Sequence, residues 1–136
     1  MKVLHVNEHL AHKGGVETYL FGLLPRLEER GVAPVVAYGD GDPALHEPVR
    51  HVPALGTVGF RAEAQARSQM EDLLREEAPD VIHVHNTQNV GALQASLDYG
   101  PTVVTTHDGG AVVQARLQGP HVLRIVHVDD VWGLLA

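Results

Sequence analysis

Apolar and polar residues alternate along the chain with two periods, which predict short buried strands separated by amphipathic helices. Residues 3–6 form a short apolar, β-branched run of the kind that is buried on both faces of a parallel sheet. From Val16 the apolar positions recur at helical spacing, and Gly31 provides a helix stop. Further strands are predicted at residues 34–38, 49–52, 81–85, 102–106 and 122–128. Further helices are predicted at residues 62–78, 89–97 and 111–117, with the start of another at 131–136.

This alternation of strands and helices predicts parallel pairing through right-handed crossovers. The fold class is therefore predicted as α/β: a single doubly wound, Rossmann-like and mostly parallel sheet with helices on both faces. The chain has 136 residues, which is the length of one domain. We see no repeat, linker or low-complexity segment, so residues 1–136 are predicted to be a single domain.

The composition of the chain limits which partners, metal sites and cellular locations are expected. The net charge of −7 argues against a nucleic-acid partner, and the absence of cysteine excludes disulfides and thiolate metal sites. No apolar run approaches the ~20 residues that span a bilayer, and no signal segment opens the chain. These features predict a cytoplasmic protein, which includes a peripheral position at the inner face of the membrane. Only two of the ten basic residues are lysine, a bias typical of GC-rich bacterial genomes.

Polar residues follow three of the predicted strands. They are His5-Val6-Asn7, His83-Val84-His85-Asn86 and Thr105-Thr106-His107-Asp108. Because the carboxyl ends of parallel strands share one edge, these groups are expected to converge beside the loop that contains Gly14 and Gly15. Paired glycines let a backbone approach a ligand, and the helix start that follows suits an anion such as phosphate. The alternative is a tight turn with no ligand.

Ten histidines require an explanation. His5 and His83 lie inside apolar strands and are predicted to be core residues, whereas His85 and His107 stand at strand ends and are favoured for a site. A metal site is an alternative, since residues i and i+2 of a strand share a face and His107 with Asp108 would complete the ligands. The sequence has no nucleophile elbow, dinucleotide-binding glycine pattern or P-loop.

Three segments resemble the N-terminal domain of GT-B-fold retaining glycosyltransferases of the family-4 type. The first combines Lys-Val-Leu-His-Val-Asn at residues 2–7, Gly-Gly-Val-Glu at 14–17 and the helix end Leu-Glu-Glu-Arg-Gly at 27–31. The others are Pro-Asp-Val-Ile-His-Val-His-Asn at 79–86 and Pro-Thr-Val-Val-Thr-Thr-His-Asp at 101–108. The resemblance extends from residue 1 to about residue 108.

The resemblance implies a sugar transfer from a nucleotide sugar to a sugar or lipid acceptor, with retention of configuration. It implies that Gly14 and Gly15 approach the donor diphosphate and that His107 is the catalytic residue beside the donor sugar. The acceptor side is assigned to Asn7, His85, Asn86 and Asp108. No metal is assigned to the site and no cofactor is implied, since the nucleotide sugar acts as co-substrate.

The chain also departs from the family pattern. The family has a second Rossmann-like domain that binds most of the nucleotide and carries a Glu-x7-Glu pair. Glu63 and Glu71 have this spacing, but they fall on a predicted surface helix, and we interpret them as a coincidence. Gly109-Gly110-Ala111 stands where the family often has bulky aromatic residues. We therefore expect the acceptor-side half of an enzyme, inactive unless a second Rossmann-like domain or chain joins it.

Two hypotheses of other classes remain. The first is a non-catalytic binding module of the same fold that self-associates as a homodimer through the face a second domain would cover. The second is a metal-dependent hydrolase built on His83, His85 and His107.

Overall fold

The structure is a computed structural model. It describes residues 1–12, 14–57, 59–85 and 89–105 with their side chains, and the backbone of two further strands at 110–115 and 122–127. The strands within these residues are β1 (Lys2–Leu10), β2 (Ala33–Gly41), β3 (Val49–His51), β4 (Val81–His85), β5 (Thr102–Thr105), β6 (Gly110–Ala115) and β7 (Val122–His127). The helices are α1 (Gly15–Glu29), α2 (Phe60–Glu77) and α3 (Val90–Tyr99), with short 3₁₀ helices at Pro43–Leu45 and Pro53–Gly56.

These strands form one sheet in the order β3-β2-β1-β4-β5-β6-β7. The five strands from β3 to β5 are parallel, while β6 and β7 pair antiparallel. The predicted α/β class and mostly parallel sheet are therefore confirmed. The arrangement of the first five strands has Rossmann-like character, with β1 in the centre.

One predicted element is wrong. Residues 111–117 were expected to be a helix, but the chain forms β6 there and pairs antiparallel with β5, with Val112 opposite Val104 and Val113 opposite Val103. The pair of β-branched valines fits a pleated strand, and the neighbouring strand supplies the hydrogen bonds that decide the conformation. The strand predicted at 122–128 is confirmed as β7. The helix start predicted at 131–136 lies outside the described residues.

Apolar side chains cover both faces of the sheet, as predicted. On one face, residues of β1, β2 and β4 pack against α2 and α3 in a buried layer. This layer includes Leu4, Val6, Val35, Met70, Leu74, Ile82 and Ala92. On the other face α1 packs against β1 and β2, burying Val3, Leu10, Leu20, Leu23, Leu27 and Val36. The alternation of Leu4 with Val3 along β1 directs neighbouring side chains to these two layers.

The two helices of the first layer pack closely at Gly91 of α3. A Cβ atom added there would lie 1.8 Å from the backbone oxygen of Glu63 on α2. Only a residue without a side chain allows this approach, which brings Ala92 and Ala66 into the same core. The glycine therefore sets the distance between α2 and α3.

The end of α2 is tied to the start of the sheet by charged groups. Glu77 accepts hydrogen bonds from Lys2 Nζ at 3.1 Å and from Arg50 Nη1 at 2.7 Å. The side chain of Asp80 then accepts a hydrogen bond from the backbone N–H of Lys2 at 2.7 Å.

Within the described part of the chain, no helix is both long enough and apolar enough to span a bilayer.

Candidate functional site

The order of the strands reverses beside β1. The chain goes from β1 outward to β2 and β3 on one side, then returns to place β4 on the other side. In open α/β sheets, ligands bind in the crevice at the carboxyl ends of the strands where this reversal occurs. The carboxyl ends of β1 and β4 therefore mark the candidate site.

The glycine loop lies at this edge and leads directly into α1. Gly14 is the residue before the helix, with φ −168° and ψ −165°, an extended conformation open to any residue. A Cβ atom on Gly15 would meet no described atom within 4 Å, and one on Gly14 would lie 3.6 Å from Glu17 Oε2. Neither backbone strain nor internal crowding requires these glycines. Their effect is to leave the backbone bare at a helix start, where the first N–H groups have no partner within the helix.

A carboxylate lies beside this loop. Glu17, in the first turn of α1, is only 8% exposed. The positive end of the helix dipole stabilises its charge, and the same charge repels a neighbouring anion. A carboxylate also accepts hydrogen bonds from hydroxyl groups. The loop therefore suits a ligand that carries both phosphates and hydroxyls when the hydroxyls face Glu17.

Three histidines form a buried cluster between β1 and β4, on the face that α1 covers. His5 is the register partner of His83, and His85 follows two residues later on the same face. His5 Nδ1 lies 3.0 Å from His85 Nε2, and the rings of His83 and His85 stack with centroids 3.8 Å apart. His83 Nε2 lies 2.6 Å from Thr105 Oγ1 on β5. We call His5, His83 and His85 the histidine cluster.

Burial controls the charge of the histidine cluster. Loss of solvation lowers the pKa of His83 to about 3. Burial also holds the pKa of His5 and of His85 well below the ordinary value, and the neighbouring histidines add to the effect. At neutral pH the three imidazoles are therefore uncharged, each with one N–H and one lone pair. They offer no positive charge to a phosphate.

The hydrogen bonds of the histidine cluster are incomplete. Nε2 of His5, Nδ1 of His83 and Nδ1 of His85 are buried and have no hydrogen-bond partner among the described residues. One ring nitrogen from each residue lies within 4.8 Å of the other two. Imidazole nitrogens are common ligands of transition metals, so this arrangement has the chemistry of a metal site.

Comparison with known proteins identifies the family. The model of the family described as Glycosyltransferase Family 4 matches residues 13–129. The chain belongs to glycosyltransferase family 4. No curated protein sequence matches it. The resemblance stated from the three sequence segments is therefore confirmed at the level of the family.

The predicted site residues of this family-4 chain fall into three groups. Gly14 and Gly15 lie at the β1/β4 edge as described above. Asn7 is 3% exposed and its amide nitrogen donates to the carbonyl oxygen of His9, while His85 belongs to the histidine cluster and is 1% exposed. Both side chains are therefore beneath the surface of the edge. The remaining three, Asn86, His107 and Asp108, lie outside the described residues, and their roles stay predictions.

The burial of the histidines shows which of them are core residues. The prediction that His5 and His83 are core residues is confirmed, since both have no exposed surface. That His83 and His85 share a face of one strand was expected, but the contact of His5 with them was not foreseen, because it depends on the register between β1 and β4. The repeated positions of histidine within two apolar runs were the available sequence signal.

A second pair at the edge was also missed. β1 was expected to end near Asn7, but it continues to Leu10, because β2 extends alongside it as far as Gly41. His9 therefore belongs to a strand rather than a loop, and its Nδ1 pairs with Asp40 Oδ1 on β2. Asp40 lies within a run of turn-forming residues, which concealed its place in a strand.

Proposed function

We propose that this family-4 domain is the acceptor-side half of a retaining glycosyltransferase, which transfers a sugar from a nucleotide sugar to a sugar or lipid acceptor. The observation that carries the proposal is the bare Gly14-Gly15 backbone at the start of α1, placed at the carboxyl edge where the strand order reverses. Within the described residues nothing in the fold requires these glycines, so a ligand that approaches the backbone explains them.

The charges of Glu17 and of the histidine cluster agree with a donor nucleotide that is bound mainly by a second domain. A donor diphosphate needs compensating positive charge, and neither the uncharged histidine cluster nor Glu17 supplies it. Helix N–H groups contribute only partial charges. By the family resemblance, a second Rossmann-like domain or chain binds most of the nucleotide, and transfer requires both halves to position donor and acceptor together.

The remaining roles follow the family resemblance. His107 is the catalytic residue beside the donor sugar, and the acceptor side consists of Asn86 and Asp108. Asn7 and His85, which the resemblance also assigns to the acceptor side, are buried and support this edge of the sheet from within. The nucleotide sugar is a co-substrate, and the transfer uses no further cofactor. The reaction takes place in a bacterial cytoplasm, at the inner face of the membrane when the acceptor is a lipid.

The hydrolase hypothesis has less support. The side chains of the histidine cluster are at most 1% exposed, so a substrate cannot reach an ion held there. Self-association without catalysis is favoured by no contact of the described residues.

Thermal unfolding with a panel of nucleotide sugars tests the proposal, since a ligand that binds only the folded form raises the midpoint. We expect one nucleotide sugar at millimolar concentration to raise the midpoint of the wild-type chain. Gly15→Val adds a side chain at the bare backbone and should abolish the shift. Gly22→Ala, at an exposed position in the middle of α1, is the matched control and should keep it. A shift that persists in Gly15→Val, or no shift with any donor, would overturn the role of the loop.

A further inference from the structure

We propose that His5, His83 and His85 form a structural site for a divalent transition-metal ion, with zinc as the expected occupant. The ion would join β1 to β4 in the layer beneath α1. This site is separate from the transfer chemistry, because the ring nitrogens are enclosed and no substrate reaches them. The proposal does not depend on the proposed function.

The spacing of the ring nitrogens is the first support. Zinc binds imidazole at about 2.0–2.1 Å, which places tetrahedral ligands roughly 3.3 Å apart. His5 Nδ1 and His85 Nε2 are already 3.0 Å apart. One ring nitrogen from each of the three residues lies within 4.8 Å of the other two, so rotation of the side chains would bring three nitrogens toward one ion.

The position of Thr105 is the second support. Histidines that bind metals usually donate their other ring N–H to an oxygen, which fixes the tautomer and the orientation of the ring. The Thr105 hydroxyl occupies this place beside His83 Nε2, at 2.6 Å. When Nε2 carries the proton, His83 Nδ1 presents its lone pair, and this nitrogen has no hydrogen-bond partner within the described part of the chain.

The unpaired nitrogen of His83 is the third support. Buried polar atoms in folded proteins nearly always have a partner, yet Nδ1 of His83 has none among the described residues. An apolar side chain would fill the same volume without this penalty. Coordination of an ion would give His83 Nδ1 a partner, while His5 Nδ1 and His85 Nε2 would exchange their mutual contact for bonds to the ion.

Metal content after refolding tests this proposal. Because the cluster is enclosed, the chain should be unfolded with chelator, refolded with zinc or cobalt ions, and passed through gel filtration. We expect one equivalent of zinc per folded chain and a higher unfolding midpoint than for the chain refolded with chelator. The cobalt form should show the intense visible absorption of a tetrahedral site. Less than about a tenth of an equivalent, or no cobalt spectrum, would overturn the proposal.

Paired variants locate the ion. His83→Gln and His85→Gln should each reduce the retained metal by at least about tenfold. The double variant His12→Gln/His51→Gln removes two exposed histidines outside the cluster and should retain the full equivalent. Loss of metal in the double variant would overturn the assignment. Circular dichroism identifies variants that fail to fold. If the cluster variants do not fold, the cobalt spectrum of the wild-type chain still tests whether the ion is bound.

Discussion

His5 on β1 and His85 on β4 are linked directly through their rings, with Nδ1 of the first 3.0 Å from Nε2 of the second. Two uncharged imidazoles share one proton in such a contact, so one ring donates and the other accepts. If His5 Nδ1 donates, His5 Nε2 has a lone pair and His85 Nδ1 carries a proton. If His85 Nε2 donates, the two remaining nitrogens have the opposite roles. The tautomer of the histidine on β1 therefore determines the tautomer of the histidine on β4, in addition to the backbone hydrogen bonds that join the two strands.

The first prediction concerns this contact. In the metal-free chain, His85→Ala leaves His5 Nδ1 without its partner and creates a cavity in a fully buried layer. We expect the free energy of unfolding to fall by about 2–4 kcal/mol, measured by urea denaturation in the presence of chelator. His12→Ala, at an exposed position, should change it by less than about 0.5 kcal/mol. Similar losses in the two variants would contradict the importance of the contact.

The second prediction concerns helix packing. Gly91→Ala places a methyl group against the backbone of Glu63, and the two helices must separate to accept it. We expect a loss of about 1–3 kcal/mol in the free energy of unfolding. Gly22→Ala makes the same chemical change at an exposed position of α1 and should stabilise the chain by about 0.5–1 kcal/mol. Equal effects at the two glycines would show that α2 and α3 are not in close contact.

The third prediction concerns acid stability. Partial burial alone would raise the pKa of Glu77, but hydrogen bonds and charge from Lys2 and Arg50 bring the pKa below its ordinary value of 4.5. Since the folded-state pKa is the lower one, this stabilisation is present above about pH 4.5 and is lost as the pH falls through the folded-state value. Glu77→Gln should therefore cost about 1 kcal/mol at pH 7 and less at pH 3.

Urea denaturation at a series of pH values measures this difference between Glu77→Gln and the wild-type chain. Glu71→Gln is the control, because Glu71 pairs with Arg67 on the exposed surface of the same helix. We expect the control to lose less stability at pH 7 than Glu77→Gln, because exposed ion pairs contribute little. A constant gap between Glu77→Gln and wild type over the whole pH range would be inconsistent with a lowered pKa.

The fourth prediction separates the two effects of Glu17. Glu17→Gln removes a negative charge from the start of α1, so binding of a free nucleoside diphosphate should become about fivefold tighter, which corresponds to about 1 kcal/mol. A nucleotide sugar should gain less, since the amide is a weaker acceptor for sugar hydroxyls. Calorimetric titration of both ligands measures the contrast. Glu29→Gln, at the other end of α1, should alter neither affinity.

The sequence predicted most of the parallel sheet because β1 to β5 are short apolar runs between clear helix and turn signals. It failed at β6, where Val112 and Val113 suit a strand or a helix and only the neighbouring β5 decides between them. The end of β1 was placed too early for a similar reason. Local preference does not reveal how far β2 continues alongside, so the polar residues after Asn7 gave the appearance of a loop.

The candidate site was predictable in part. The glycine loop and the edge that it occupies follow from the order of elements alone. The histidine cluster does not, since His5 meets His83 only through the pairing of two strands that are far apart in the chain. Residue type suggested either core or ligand for each histidine, and only the three-dimensional register shows that the three form one buried group.

The central position of β1 has a consequence for synthesis. β1 leaves the ribosome before the other strands of this sheet, and β2 can pair with one of its edges soon afterwards. The other edge of β1 must wait for β4, 78 residues later in the register. At ~5–20 residues per second, translation of that interval takes roughly 4–16 s. During this time an apolar strand edge remains open to association with other nascent chains. The yield of folded protein should therefore depend on translation speed and on chaperones that shield this edge until β4 emerges.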